Sequence, residues 1–343
     1  MSNPIQHVVI IVKENHTFDN YFGTFPGANG HKLPAAPDPM VDDPVHDHAA
    51  WLTAAAAEGF GGTKEQYSRS DIPAYFAYAQ NYTLCDNYFT DVASQSEPNH
   101  LFLIAADSPI IDNSSKGRKY QAYPPFDIPS LPETLATAGR SWRNYADSHT
   151  SYFTHIKALA HDPGNVSSAQ FDVDVAQGFL PDVAWLYAPD GFSEHPGDFR
   201  HTGKPIVAPG MQWTVDRVQR IASSPLWKST AIFITWDDWG GWHDHLKPPL
   251  SSRWPFGGHI GYSKSQFRYG PRVPCLVVSP YARQGIEHGF LSHASLVKFC
   301  IRLFGLPAWN APALSASDPS GDMWNCFDFH APPRLEVPAV VPT

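Results

Sequence analysis

The sequence has no apolar run long enough to cross a bilayer as a helix, which needs about 20 residues. It has few cysteines, 4 in 343 residues, and none stand in CxxC spacing, so a thiolate zinc site is excluded. Cys275 falls in an apolar strand pattern and Cys300 in an apolar helix pattern, where reduced core thiols are expected. For Cys85 and Cys326 the pattern decides nothing, and a disulfide at Cys85 stays open. Clusters of Lys and Arg are also missing, and the formal net charge is −9, which argues against nucleic acid as a partner. No basic n-region and apolar h-region precede the first strand pattern, which begins at about Gln6. The expectation is a cytoplasmic chain, or a periplasmic or secreted one trimmed of its signal peptide. Internal repeats are lacking.

What is present is a soluble globular composition, 43% hydrophobic and 17% charged, with 33 Pro and 24 Gly that imply long ordered loops. Val8 to Val12 is an unbroken β-branched run, suited to a strand buried on both faces. It stops at Glu14-Asn15, two oxygen donors for a hard cation, before a short helix capped by Thr17 and ended by Gly23. Thr230 to Trp236 repeats the pattern and also runs out into acids, Asp237-Asp238, followed by Gly240-Gly241. If the two strands are neighbours, Glu14, Asn15, Asp237 and Asp238 converge. Adjacent acids repel unless a cation or a proton lies between them.

Strand patterns at Ser141–Tyr145, Val183–Tyr187 and Val273–Val278 alternate with helical ones at Ile72–Asn81, Leu131–Ala138, Val207–Ala222 and Phe290–Phe304. This alternation predicts an α/β fold, a three-layer α/β/α sandwich with a largely parallel central sheet, as a single domain over residues 1–343. Excursions at about 24–70 and 150–180 are expected over the site, and the chain beyond Pro307 is expected to wrap the surface. Histidines collect in loops beside acids: His46 and His48, His149, His155, and His195. Ser96 precedes the helical run Leu101 to Ala106. It reads equally as an N-cap or as a nucleophile whose phosphoryl group the helix N-terminus would favour.

Lys13-Glu14-Asn15-His16-Thr17-Phe18-Asp19-Asn20-Tyr21-Phe22-Gly23 resembles the E-N-x-[ST]-F-D-x-Y-F-G signature of the phosphoesterase family, which holds bacterial acid phosphatases and phosphatidylcholine-type phospholipases C. That family lies within the alkaline-phosphatase-like superfamily. Ser96-Glu97-Pro98-Asn99-His100 looks like its [ST]-x-P-N-[RH], and Ser193-Glu194-His195-Pro196 like its acid-His-Pro segment. Thr235-Trp236-Asp237-Asp238-Trp239-Gly240-Gly241 with Asp244-His245 looks like T-[YW]-D-E-x-G-G-x-x-D-H, with Asp238 standing where Glu is usual. The resemblance implies one divalent cation on Glu14, Asn15, Asp237 and Asp238, with Ca²⁺ or Mg²⁺ favoured and Zn²⁺ possible. It implies Ser96 as nucleophile, His46, His149 and His195 around the phosphate, and Asn99 and His245 as substrate-binding residues.

The implied reaction is hydrolysis of phosphate monoesters through a phosphoseryl intermediate, with His195 preferred as the acid that protonates the leaving oxygen. The chain ends soon after its last helix, without the β-rich extension of many phospholipases, and this favours the acid-phosphatase side. Two alternatives stand. A phospholipase C would cleave choline-type phosphodiesters, using some of the 11 Trp and 14 Tyr to cage the ammonium. A non-catalytic phospho-ligand binding protein would use the same pocket without turnover. A formylglycine-type sulfatase is disfavoured because C-x-[PA]-x-R is missing. The expected partner is a small phosphate ester or a phospholipid head group.

Overall fold

Seven residues of β-preferring chain, His7–Lys13, form β1, and from Val8 onward every one is buried. The computed structural model describes residues 3–38, 43–56, 62–114, 122–147, 151–197, 204–250 and 269–341. In chain order the further strands are β2 (Thr83–Cys85), β3 (Tyr88–Phe89), β4 (Trp142–Tyr145), β5 (Asn165–Val166), β6 (Val183–Tyr187), β7 (Thr230–Trp236), β8 (Cys275–Val278), β9 (Gly285–Glu287) and β10 (Leu291–Ser292). The helices are α1 (Phe18–Phe22), α2 (His48–Ala56), α3 (Pro73–Asn81), α4 (Ser96–Ala105), α5 (Leu131–Thr137), α6 (Gln170–Ala176), α7 (Val207–Ala222) and α8 (His293–Phe304).

Eight strands make the central sheet in the order β5-β4-β6-β1-β7-β8-β2-β9. The five from β5 to β7 run parallel, and β8 is antiparallel to both its neighbours. This is the alkaline-phosphatase-like α/β architecture expected from the alternation of strands and helices. Helices α4, α5 and α8 pack together, and α3, α6 and α7 form a second group. Parallel strands need helical crossovers on both faces, which is why β1 from Val8 onward, β6 and β7 are buried at every position and not alternating.

Local differences have physical causes. The segment Tyr82 to Phe89 divides into β2 and β3, which join different sheets. Gly23 ends α1 with right-handed φ −59°, so no left-handed cap is needed there. A Cβ at Gly23 would fall 2.2 Å from Gln66 Nε2 and 2.3 Å from the His31 carbonyl oxygen, so close packing demands the glycine. The C-terminal tail does more than wrap the surface: Met323, Cys326 and Phe327 enter the main core. All four cysteines are buried free thiols, with Cys85 Sγ 3.8 Å from Cys326 Sγ.

Helix α4 ends on Ala106 in the left-handed region, φ 54°, and the next residue is Asp107. Burial raises its carboxyl to about 6, and it also stands at the negative end of the helix dipole. A carboxyl with a raised folded pKa contributes stability below its unfolded pKa, near about 3.9, and loses it as pH rises through the folded value. Asp107→Asn is therefore expected to match the wild type near pH 4 and to exceed it near pH 8, by on the order of 2 kcal/mol. Urea melts at the two pH values check this.

Candidate active site

The register pairs Lys13 with Trp236, so Glu14 and Asp237 leave the sheet side by side. The Asp237 N–H donates to the Lys13 carbonyl at 2.9 Å, which carries the pairing one residue past the strand end. Asn15 turns sharply, with φ 60°, and its N–H donates to Asp237 Oδ1 at 3.1 Å. Gly240 lies so close that a Cβ there would sit 2.5 Å from the Asn15 carbonyl oxygen, and its own φ is +57°. The strand ends of β1 and β7 thus face each other at the carboxyl edge of a parallel sheet, where open α/β folds bind ligands.

A buried frame holds this corner. Lys13 Nζ lies 3.2 Å from Glu194 Oε1, with both side chains wholly buried. Glu194 also accepts from the hydroxyls of Tyr21 (2.7 Å) and Tyr75 (2.6 Å) and from Trp236 Nε1 (3.1 Å). The acid of the acid-His-Pro segment therefore anchors the loop that carries His195. From the other side, His293 Nε2 donates to the Asp237 carbonyl at 2.7 Å, so His293 positions the site, as a packing residue would.

Ser96 is the first residue of α4, with Gln95 as N-cap. Its hydroxyl does not cap the helix and instead donates to Asp238 Oδ2 at 3.2 Å. One turn later on the same helix face stands His100, whose Nε2 is 3.3 Å from Asp237 Oδ2 and 3.7 Å from Glu14 Oε1. These approaches are ion-pair distances without hydrogen-bond alignment, and Asp237 Oδ2 and both His100 nitrogens are buried without hydrogen-bond partners among the described residues. Sequence reading quoted His100 within its motif and gave it no role; the i, i+4 spacing from Ser96 is the signal that finds it.

Burial, and then the Asp237 charge, raise the carboxyls of Glu14 and Asp238, the latter strongly. Burial would raise Asp237 too, but the neighbouring His100 outweighs it and the net direction is down. Burial would lower His100, yet the two carboxylates hold it up at about 9. Of the three acids, two are thus pushed towards protonation, as expected where carboxylates crowd together in a buried place. The residues fit a hard cation: three carboxylates converge, one buried oxygen lacks a partner, and Glu14, His100 and Asp237 can each direct one ligand atom to a common point.

The Asn15 amide fits its surroundings with its oxygen towards His46 Nε2 (3.3 Å) and His195 Nε2 (3.1 Å), and its nitrogen towards Glu14 and Asp237 (3.2 Å each). His46 Nδ1 donates to the Pro44 carbonyl at 2.6 Å, while His195 Nδ1 accepts from the Gly197 N–H at 2.8 Å. His195 therefore presents Nε2–H to the Asn15 oxygen, whereas His46, with Nδ1–H on Pro44, donates to that oxygen only when Nε2 carries a second proton. A cavity of about 320 Å³ opens here, lined by Glu14, Asp43, His46, Ser96, Tyr152 and His195 among others, and no Lys or Arg is among its described lining residues.

The structure brings together Glu14, Asn15, His46, Ser96, His195, Asp237 and Asp238, and leaves other expected site residues elsewhere. Asn99 is fully buried, and its amide is spent on the backbone of residues 92–95, accepting from the Val92 N–H at 2.9 Å. It shapes the loop before Ser96 and does not face the cavity. His245 joins a separate cluster, with Nδ1 2.7 Å from Asp19 Oδ2. There the buried Arg272 guanidinium binds Asp244 at 3.0 Å and Asp19 at 3.2 Å, one positive charge shared by two acids. His149 lies outside the described residues. Of the other loop histidines beside acids, His48 donates to the Ala93 carbonyl at 2.9 Å and His155 pairs with Glu97 at 2.6 Å, and neither is among the described lining residues of this cavity.

The profile of the phosphoesterase family matches residues 5–44 and 45–307. The chain belongs to the phosphoesterase family. Among curated relatives, a non-hemolytic phospholipase C of Burkholderia pseudomallei is 27% identical, over 96% of this chain and 59% of its own length. Phospholipase C A of Mycobacterium tuberculosis is 28% identical, over 97% of this chain and 79% of its own. This phosphoesterase thus spans little more than half the length of the first of these relatives. Murine ectonucleotide pyrophosphatase/phosphodiesterase 5, solved with AMP, superposes with TM-score 0.52 at 11% identity, over 94% of this chain and 100% of that one. A putative sulfatase from Bacteroides thetaiotaomicron gives TM-score 0.51 at 11% identity, over 92% and 74%. These two likenesses concern the fold.

Proposed function

We propose that this phosphoesterase hydrolyses phosphate esters with Ser96 as nucleophile and a divalent cation on Glu14, Asp237, Asp238 and Asn15, the last once its amide turns its oxygen from the histidines towards the carboxylates. The observation that carries the reading is Ser96 itself, released from capping at the first turn of α4 and hydrogen-bonded to Asp238 beside the carboxylate cluster. Three further supports are electrostatic. A phosphate cannot enter beside Glu14 and Asp43 unless positive charge is supplied, and the described lining offers only imidazoles. A bound hard ion, Ca²⁺ or Mg²⁺ before Zn²⁺, would supply that charge and favour the Ser96 alkoxide. The N–H groups at the start of α4 add a partial positive charge where the phosphoryl group would rest.

Ser96 Oγ attacks phosphorus and passes its proton towards Asp238, and water later hydrolyses the phosphoserine. Tautomer geometry revises the choice of acid. His195 holds its single proton on Nε2 and serves best as a hydrogen-bond donor to a phosphate oxygen, since its Nδ1 is occupied by the Gly197 N–H. His46 keeps Nδ1–H on Pro44 and can take a second proton on Nε2, which makes it the better donor to the leaving oxygen. His46→Asn is expected to cost about 10²-fold or more in kcat on an alkyl phosphate and under tenfold on p-nitrophenyl phosphate, whose leaving group needs no proton. Equal losses on both would remove His46 from that role.

A second reading, a phospholipase C acting on choline-type phosphodiesters, draws on the printed names of the relatives. Turnover of p-nitrophenyl phosphate against p-nitrophenylphosphorylcholine separates the two. Preference for the monoester upholds the phosphatase reading, and preference for the diester moves the enzyme to the phospholipase side. Phosphate binding without turnover of either would leave a non-catalytic binding protein.

A further inference from the structure

A second cavity, about 600 Å³, lies against the reactive one, and Tyr152 lines both. Its walls are the ends of β4 and β5 and the turn after Ser151: Asn144, Asp147, Ser151, Thr154, Asn165 and Ser167. The catalytic scheme uses none of them. The size lies within the usual range of small-molecule sites, about 300–1,000 Å³.

The chemistry of the walls is specific. Asn144 is 3% exposed, and its amide nitrogen donates to Ser151 Oγ and Asn165 Oδ1, both at 2.9 Å. Its oxygen, Oδ1, is buried with no partner among the described residues, an acceptor without a donor in a cavity wall. Ser151, Thr154 and Ser167 add hydroxyls to the cavity lining, and Asp147 adds a carboxylate that is bonded to Ser168 Oγ at 3.1 Å. No Lys or Arg is among the described lining residues, and the lining imidazole of His155 is paired with Glu97 at 2.6 Å, so a second phosphate or a carboxylate ligand is disfavoured. Tyr152 and the His155 imidazole are the only rings among the described lining residues, too few for an ammonium cage. Alternating acceptors and hydroxyl donors suit a group that is itself a dense array of hydroxyls. Tyr152 fixes the boundary: it has φ 55°, and its ring packs 5.0 Å from His100 and 5.2 Å from His155.

We propose that this second cavity binds an uncharged polyhydroxylated group, a sugar or cyclitol, esterified to the phosphate that Ser96 attacks. The inference rests on the phosphoesterase reading above and names its substrate class. The same group occurs in a soluble sugar or cyclitol phosphate and in a phospholipid head group, and the two sources need separate assays.

Wild-type kcat/KM is compared for inositol 1-phosphate, phosphocholine, and phosphatidylinositol or phosphatidylcholine in mixed micelles. The exposed rim positions carry the variants Thr154→Trp and Ser167→Leu, which reduce the cavity without touching the reactive residues. The inositol ester is expected to exceed its choline counterpart by about tenfold or more, and the variants to erase that preference. Inhibition by inorganic phosphate, which reads the reactive cavity alone, is expected to stay within about twofold. Choline preference, or inositol turnover unchanged in both variants, overturns the proposal. If no ester is hydrolysed, the reaction assignment fails but the cavity is still tested, by saturation-transfer NMR with free myo-inositol. Binding lost in Thr154→Trp upholds it, and no binding to the wild type overturns it.

Discussion

Ser96→Ala is expected to lower kcat on any accepted phosphate ester by at least about 10³-fold while leaving the fold intact. The size of the effect follows from what the hydroxyl does and does not do. It makes no cap bond to α4, whose N-cap is Gln95, so its removal leaves the helix start as it was. It donates to Asp238. Loss of that bond releases a carboxylate already raised by burial and by Asp237, which is no large cost to folding. Activity and stability are therefore expected to separate: near-complete loss of turnover with a melting temperature within a few degrees of wild type. A variant that keeps substantial turnover would show that water, not Ser96, attacks phosphorus. Ser96→Thr adds a discriminating case, since the hydroxyl survives on a stiffer side chain, and partial activity is expected there.

Removing the cation is expected to abolish turnover, and replacing Asp238 by Asn is expected to show why. In metal-free protein, Glu14 and Asp238 carry raised carboxyl pKa values, and His100 is raised to about 9. Each of these groups contributes stability at low pH and loses it as pH rises through its folded value. Metal-free wild type should therefore weaken as pH climbs above the ordinary carboxylate range. Asp238→Asn removes one of the repelling charges and should be at least as stable as the wild type without metal. Added cation reverses the order. An ion at about 100 times its dissociation constant stabilises wild type by about 2.7 kcal/mol, and the variant should lose most of that gain. Thermal melts of both proteins with chelator and with Ca²⁺, Mg²⁺ or Zn²⁺ test the crossing and identify the preferred ion. If cation raises the melting temperature of both equally, Asp238 is not a ligand.

The sheet and the reactive corner were legible in the sequence because both rest on short-range signals. Unbroken β-branched runs that stop at acids give β1 and β7, and only their adjacency, which the register of Lys13 against Trp236 supplies, turns two strand ends into one cluster. Residues whose roles depend on distant partners were not legible. Asn99 is a carboxamide in a motif beside the nucleophile, yet it is saturated by the backbone of the loop before Ser96. His245 sits four residues past the Gly240-Gly241 turn, but Arg272, distant in sequence, draws Asp19, Asp244 and His245 into a structural ion cluster. The choice between His46 and His195 as acid turns on the Pro44 carbonyl and the Gly197 N–H, backbone groups that no residue pattern reveals. Tyr152 and the cavity beyond it come from an excursion whose placement local propensity does not set.

The central claim is a covalent phosphoseryl step at Ser96. Its most direct test is the stereochemical course at phosphorus, read by transfer from a phosphate monoester made chiral with oxygen isotopes to an added acceptor alcohol. Two successive in-line displacements, the first by Ser96 and the second by the acceptor, predict retention of configuration. Inversion would mean a single direct displacement and would contradict the account.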